Sequence, residues 1–272
     1  MKLITFGDSW TEGVGGNLIE EDLTSDFSEK TKIRQKYCWP NYLSKLLDVE
    51  YTNFGVGGSN NKIIFESVCN SLENNLIDLN DFVIIMWSSS LRDPVPFFPK
   101  EDEWHFWNKR YISKKYLYDR IFKNNKKENL LYNKLKNEYK EWFISNLYND
   151  YYYDIINQNY ILYLQFMFDK MGIRYLFCDA FDSMVSFNIL KEIDKTNFIN
   201  QKNYWNFKTK TLRDFLEESK KSSIWQDFKM IKKNEVKHPN MNGYKLIAEE
   251  LYNWIQENNL LIKKETQINL FI

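Results

Sequence analysis

The stretch KLITFGDSW, residues 2–10, is largely apolar through Phe6 and then turns polar at Gly7-Asp8-Ser9. A short apolar run ended by a turn signal reads as a buried β-strand, here one whose carboxyl end presents an Asp-Ser pair. Three later runs repeat the pattern: VEYTNFG (49–55), DFVIIMW (81–87) and IRYLFCD (173–179). Between the first two lies WPNYLSKLLD (39–48), with Pro40 suited to a first helical turn. Between the second and third, NNKIIFESVCNSLENN (60–75) places Ile63, Ile64, Ser67 and Val68 near one helical face. Strands alternating with helices predict an α/β protein, a three-layer α/β/α sandwich with a mostly parallel, flavodoxin-like sheet.

That rhythm breaks after residue 95. Leu131, Leu135, Tyr139 and Trp142 recur at helical spacing, as do Ile156, Tyr160, Tyr163 and Met167, which predicts a helical insertion over about 95–172. A second polar, aromatic insertion is expected over about 183–233. No repeat or low-complexity linker divides the chain, so residues 1–272 are expected to form a single domain. The closing stretch HPNMNGYKLIAEELYNWIQENN (238–259) reads as a helix capped by Asn240, with Ile247, Leu251 and Trp254 as its apolar stripe.

Lys plus Arg and Asp plus Glu both number 37, so nothing global points to nucleic acid or an anionic membrane. Residues 108–142 are locally basic, eleven Lys/Arg against four Asp/Glu, which suits a solvated helix face or a surface for an anionic polymer. The aromatic content, 17%, suits a groove that takes sugar rings. FVIIMW (82–87) is too short to cross a bilayer, and no charged-then-apolar leader precedes the first strand. Cys38, Cys69 and Cys178 are odd in number and form no Cys-x-x-Cys pair, so they read as small buried residues in a cytoplasmic protein. The Lys-, Asn- and Tyr-rich composition is of the kind found in AT-rich microbial or viral genomes. EGVGG (12–16) and GVGGSNNK (55–62) match neither a dinucleotide fingerprint nor a phosphate-binding loop, and read as turns. No metal or organic cofactor is expected.

Ser9 stands at a strand end, where open α/β sheets place their ligands. A serine hydroxyl needs a base, and the base an orienting acceptor. The chain has two histidines: His105 in EDEWHFW, inside the expected insertion, and His238 in NEVKHPN, before the last helix. Glu235, three residues before His238, can reach the second imidazole nitrogen from a tight loop.

FGDSW near the amino terminus, NFGVGGSN after the second strand and ExxHPN before the last helix together resemble blocks I, II and V of the SGNH/GDSL hydrolase family. The resemblance covers the sheet framework and both ends of the chain. It implies Ser9 as nucleophile, His238 as base and Glu235 in place of the family's aspartate. It further implies an oxyanion site from the backbone N–H groups of Ser9 and Gly58. Block III departs from the family, whose Gly-x-Asn-Asp is replaced by MWSSSLRD (86–93). A gapless match puts Ser90 at the oxyanion-donating Asn, with Ser89 as the alternative. Asp8, Trp10, Ser89 and Arg92 are candidates for substrate contact. The implied chemistry is acyl transfer through an acyl-enzyme, and the expected function is an esterase removing small O-acyl groups, O-acetyl above all, from a carbohydrate or glycan. Two other outcomes are compatible with these residues: an O-acyltransferase using the same site, and a catalytically impaired module that binds a glycan or protein.

Overall fold

The computed structural model describes residues 1–89, 150–181, 198–206, 209–219, 224–225 and 238–262, with side chains in the 150–171 helix described from residue 155. The basic stretch at 108–142, most of both expected insertions, and Ser90, Arg92, His105 and Glu235 lie outside the described residues.

Four parallel strands, β1 (Lys2–Gly7), β2 (Glu50–Gly55), β3 (Phe82–Trp87) and β4 (Arg174–Asp179), form one sheet in the order β2-β1-β3-β4. Leu3 pairs with Tyr51 on one side and Phe82 on the other, and Val83 pairs with Tyr175. Side chains alternate across the sheet, so each inner strand feeds both faces. Leu3, Phe82, Ile84, Met86 and Leu176 pack on one side with Trp39, Leu43, Tyr244 and Leu251. Ile4, Phe6, Val83, Ile85, Trp87 and Phe177 pack on the other with Ile64, Val68, Ile161, Leu164 and Phe168. Burial on both faces is why these strands are continuous apolar runs, and it confirms the α/β/α layering.

The short helices α1 (Ser9–Glu12) and α2 (Leu18–Asp22) follow β1, and α3 (Phe27–Tyr37) and α4 (Trp39–Leu47) lead to β2. Pro40 stands in the first turn of α4, and Asp48 ends that helix in the left-handed region with φ 53°. Helix α5 (Asn61–Glu73) starts at Asn60, whose side chain accepts from the Ile63 N–H. Helix α6 (Asp150–Met171) is the last segment of the crossover from β3 to β4. Its buried face is Asn157, Ile161, Leu164 and Phe168, whereas Tyr163 is 49% exposed. The stripe expected at Ile156, Tyr160, Tyr163 and Met167 is therefore one residue out of phase. Apolar and aromatic side chains surround this helix, so spacing alone cannot select the face that meets the sheet.

Beyond β4, Tyr204 makes a single parallel bridge to Phe177, and helix α7 (Leu212–Glu218) starts from a reciprocal Thr211–Asp214 cap. The last helix, α8 (Met241–Glu257), is capped by Asn240 and buries Tyr244, Ile247, Ala248, Leu251 and Ile255. Trp254 sits at the edge of that stripe and donates its indole N–H to the Lys202 carbonyl at 3.0 Å. Cys38 and Cys178 are buried, Cys69 is half-buried and all three are free thiols. Among the described residues no helix is long and apolar enough to cross a membrane.

Candidate active site

The sheet order reverses between β1 and β3, and a crevice at the carboxyl ends of such a pair is where doubly wound sheets bind ligands. Ser9 follows β1 and Ser88 follows β3, so both flank that point. The turn after β1 begins at Gly7, where a Cβ would stand 2.1 Å from Thr11 Oγ1 and 3.0 Å from the Met86 carbonyl oxygen, too close for any side chain. Asp8 caps the one-turn helix α1: its Oδ1 accepts from the Trp10 N–H at 2.9 Å, and its Oδ2 accepts from Ser88 Oγ at 2.9 Å. The turn closes at Gly13, with φ 93°, where the N–H groups of Gly13 and Val14 converge on the Ser9 carbonyl at 3.1 and 3.0 Å. The nucleophile candidate is thereby held by backbone on both sides.

His238 approaches from the other end of the chain, with Nε2 2.9 Å from Ser9 Oγ. Ser9 is 2% exposed and His238 9%, so the pair is nearly enclosed. Pro239 bridges Trp225, and the Asn240 N–H donates to the Ile224 carbonyl at 2.9 Å, which pins the segment just after the histidine. From α8, the Tyr244 hydroxyl donates to the Val14 carbonyl at 2.8 Å and ties the histidine's helix to the serine's turn. Burial, then the negative charges of Asp8 and its neighbours, push the Tyr244 phenol well above its ordinary pKa, so it stays a neutral donor.

The turn after β2 completes the geometry. The Val56 N–H donates to the Gly7 carbonyl at 3.0 Å and the Ser59 N–H to the Val56 carbonyl at 3.1 Å. Gly57 lies against the nucleophile, a Cβ on it falling 3.9 Å from Ser9 Cβ. Gly58 has φ 85° and nothing within 4 Å of its Cβ position, so backbone conformation rather than crowding calls for glycine there. Among the described residues neither the Ser9 N–H nor the Gly58 N–H has an acceptor. Backbone N–H groups left without an acceptor are of the kind that bind a developing oxyanion.

Asp8 and Trp10, expected to face the substrate, are both 0% exposed. Asp8 is engaged by Trp10 and Ser88, while the Trp10 ring packs edge-on against Phe181 at 4.8 Å and Trp225 at 6.1 Å. Enclosure by the β1 turn gives Asp8 and Trp10 a structural part beside Ser9, itself only 2% exposed. Ser89 is 1% exposed at the end of β3.

Four contributors escaped the sequence reading. Ser88 braces Asp8, and the Asn61 amide grips both the N–H and the carbonyl of Ser88 at 2.8 and 3.1 Å. Glu12 accepts from the Gly57 N–H, and Arg34 holds Glu12 and Glu21. Burial works against the Arg34 charge, but its bonds to Glu21 and Glu12 outweigh burial and raise its pKa. Glu12 alone carried a signal, lying three residues from Ser9 on the same helical turn.

A family model described as "Family of unknown function (DUF6071)" matches residues 19–267, and the chain belongs to that family. The matched stretch begins after Ser9 and includes Gly58, Glu235 and His238. Comparison with curated protein sequences finds no match. Among solved structures, the chain is similar to a G-D-S-L-family protein from Desulfitobacterium hafniense DCB-2, with 14% identity, TM-score 0.45, and coverage of 93% of this chain and 98% of that one. A member of the lipolytic protein G-D-S-L family from Veillonella parvula DSM 2008 gives 12% identity, TM-score 0.41 and coverage of 93% and 97%. The acetyl xylan esterase AlAXEase gives 16% identity, TM-score 0.36 and coverage of 93% and 98%. The activities in those names are those proteins' own.

Proposed function

We propose that this protein is a serine esterase that removes small O-acyl groups, acetyl above all, from a carbohydrate or glycan. The observation that carries the reading is the 2.9 Å approach of His238 Nε2 to Ser9 Oγ; among the described residues the Ser9 and Gly58 N–H groups have no acceptor, which supports it. The sequence resemblance to blocks I, II and V of the SGNH/GDSL family supports it independently, and the near-enclosure of the pair favours a small acyl group.

In the first half-reaction Ser9 Oγ bonds to the ester carbonyl carbon as its proton passes to His238 Nε2. The carbonyl oxygen takes up the negative charge between the Ser9 and Gly58 N–H groups, with Ser90 or Ser89 in the place of the family's Asn donor. The tetrahedral species collapses, the bond to the alcohol oxygen breaks, and His238 returns the proton to that oxygen. In the second half a water gives its proton to His238 and attacks the acyl-Ser9 carbon; the bond from that carbon to Oγ breaks, His238 returns the proton to Oγ, and the acid leaves. Glu235, in the family's aspartate position, is assigned to orient the imidazole.

The test is turnover of p-nitrophenyl acetate by wild type and Ser9→Ala, with intact-protein mass spectrometry after a serine-directed phosphonate. Turnover and a single covalent adduct in wild type, both absent from a folded Ser9→Ala protein, are expected. Full activity in Ser9→Ala rejects the mechanism.

A further inference from the structure

Two carboxylates and one guanidinium share a buried corner beside the nucleophile turn. Arg34 Nη1 meets Glu12 Oε1 at 2.6 Å and Arg34 Nε meets Glu21 Oε2 at 2.9 Å. Glu12 is 6% exposed and Glu21 4%. One carboxylate suffices to neutralise one guanidinium, so a second buried acid needs another reason to be there. The backbone supplies it. Glu21 Oε1 accepts from the Gly15 N–H at 2.9 Å, and Glu12 Oε2 accepts from the Gly57 N–H at 2.5 Å. The Glu12–Gly57 bond joins the helix that starts at Ser9 to the turn that carries Gly58, across 45 residues of sequence.

That turn has reason to need a tie. Gly57-Gly58 is the most conformationally permissive kind of dipeptide, with Gly58 at φ 85°, and the Ser59 N–H to Val56 carbonyl bond at 3.1 Å closes the turn around it without a contact to the nucleophile's helix. At Gly57 a Cβ would stand 2.5 Å from Glu12 Oε2, so the missing side chain is what lets the carboxylate reach the peptide.

We propose that Glu12, held in place by Arg34, is a positioning residue for the oxyanion site, fixing the Gly57 peptide so that the following N–H, that of Gly58, stays directed at the reacting carbonyl. The proposal rests on the esterase reading and adds a residue outside the triad to it. Glu12 touches no reacting atom; it acts through Gly57. Removing Glu12 leaves Arg34 paired with Glu21, so the corner keeps a neutral ion pair. Arg34→Ala, by contrast, strands two buried carboxylates and is the poorer test.

The experiment compares wild type, Glu12→Gln, Glu12→Ala and Ser9→Ala by p-nitrophenyl acetate kinetics, melting temperature and NMR hydrogen exchange at Gly57 and Gly58. Loss of a whole oxyanion donor costs on the order of 10²–10³ in turnover, so a donor present but no longer fixed should cost roughly 10–100-fold. Glu12→Ala is expected to lose that factor in kcat with little change in KM, and to exchange the Gly57 amide at least about tenfold faster. Glu12→Gln, whose single amide oxygen can still accept from the Gly57 N–H while its NH2 group is turned to the Arg34 donor, should recover part of both, while Ser9→Ala keeps wild-type exchange at Gly57. An active wild type with Glu12→Ala kcat within about twofold of it overturns the proposal alone. Equal losses in Gln and Ala variants, with KM raised and melting lowered in step, also overturn it, because they mark a purely structural corner. A wild type that neither turns over ester nor takes the phosphonate removes the esterase reading and this proposal together. If Glu12→Ala does not fold, Glu12→Gln and the exchange at Gly57 carry the test.

Discussion

Replacing Tyr244 by Phe separates two contributions that the structure assigns to one hydroxyl. The hydroxyl donates to the Val14 carbonyl at 2.8 Å and so couples the helix after His238 to the turn after Ser9, 230 residues apart. Phe keeps the ring in its site and deletes the donor. Val14 is half-buried, so the lost bond is worth about 1 kcal/mol at pH 7. Alkaline pH narrows the difference. Burial, then Asp8, Cys38, Glu21 and Glu12, raises the folded pKa well above the ordinary 10.0 of tyrosine. Above pH 10 the unfolded chain therefore binds fewer protons at this site than the folded chain, and stability falls as pH rises. Wild type therefore loses stability at this group as pH rises above 10, whereas Phe has no proton to retain. Tyr204 and Cys178, also raised by burial, are common to both proteins and cancel in the difference. Urea denaturation followed by far-UV circular dichroism at pH 7 and pH 11 measures the effect. The variant should be about 1 kcal/mol weaker at neutral pH, and its deficit should shrink between pH 7 and pH 11. An unchanged deficit across that range refutes the reasoning.

Ser88→Ala removes the buried 2.9 Å hydrogen bond to Asp8 Oδ2 and should lower unfolding free energy by about 1.5–3 kcal/mol, together with a fall in esterase turnover as the cap on Ser9 loosens. A loss below about 0.5 kcal/mol in chemical denaturation would show that Asp8 does not depend on it. Gly58→Ala meets no atom within 4 Å but places an L-residue at φ 85°, so about 1–2 kcal/mol of stability and a larger share of kcat than of KM should be lost. Stability and kcat equal to wild type would remove the strain argument at Gly58.

The extent of the four strands was legible to within a residue, because strands buried on both faces must be short, apolar and bounded by turns. The α6 face was not, since aromatic residues surround that helix and the sheet selects Ile161, Leu164 and Phe168. Ser9 and His238 could be named as partners from their motifs, yet no rule of spacing brings residues 229 positions apart to 2.9 Å. Trp10 adds a case that spacing does not settle: next to Ser9 in sequence, it is carried into the core by the helical turn that presents Ser9.

What the sequence determined by itself is the layered α/β architecture and the chemical types at the strand ends, because local periodicity and turn chemistry act over a few residues. What only the tertiary structure decided is who meets whom at the β1/β3 crevice: Ser88 on Asp8, Asn61 on Ser88, Tyr244 on Val14, and Glu12, steadied by Arg34, on Gly57. Those contacts join groups from separate strands and helices, and their geometry exists only once the parallel sheet has set its register and both faces have packed.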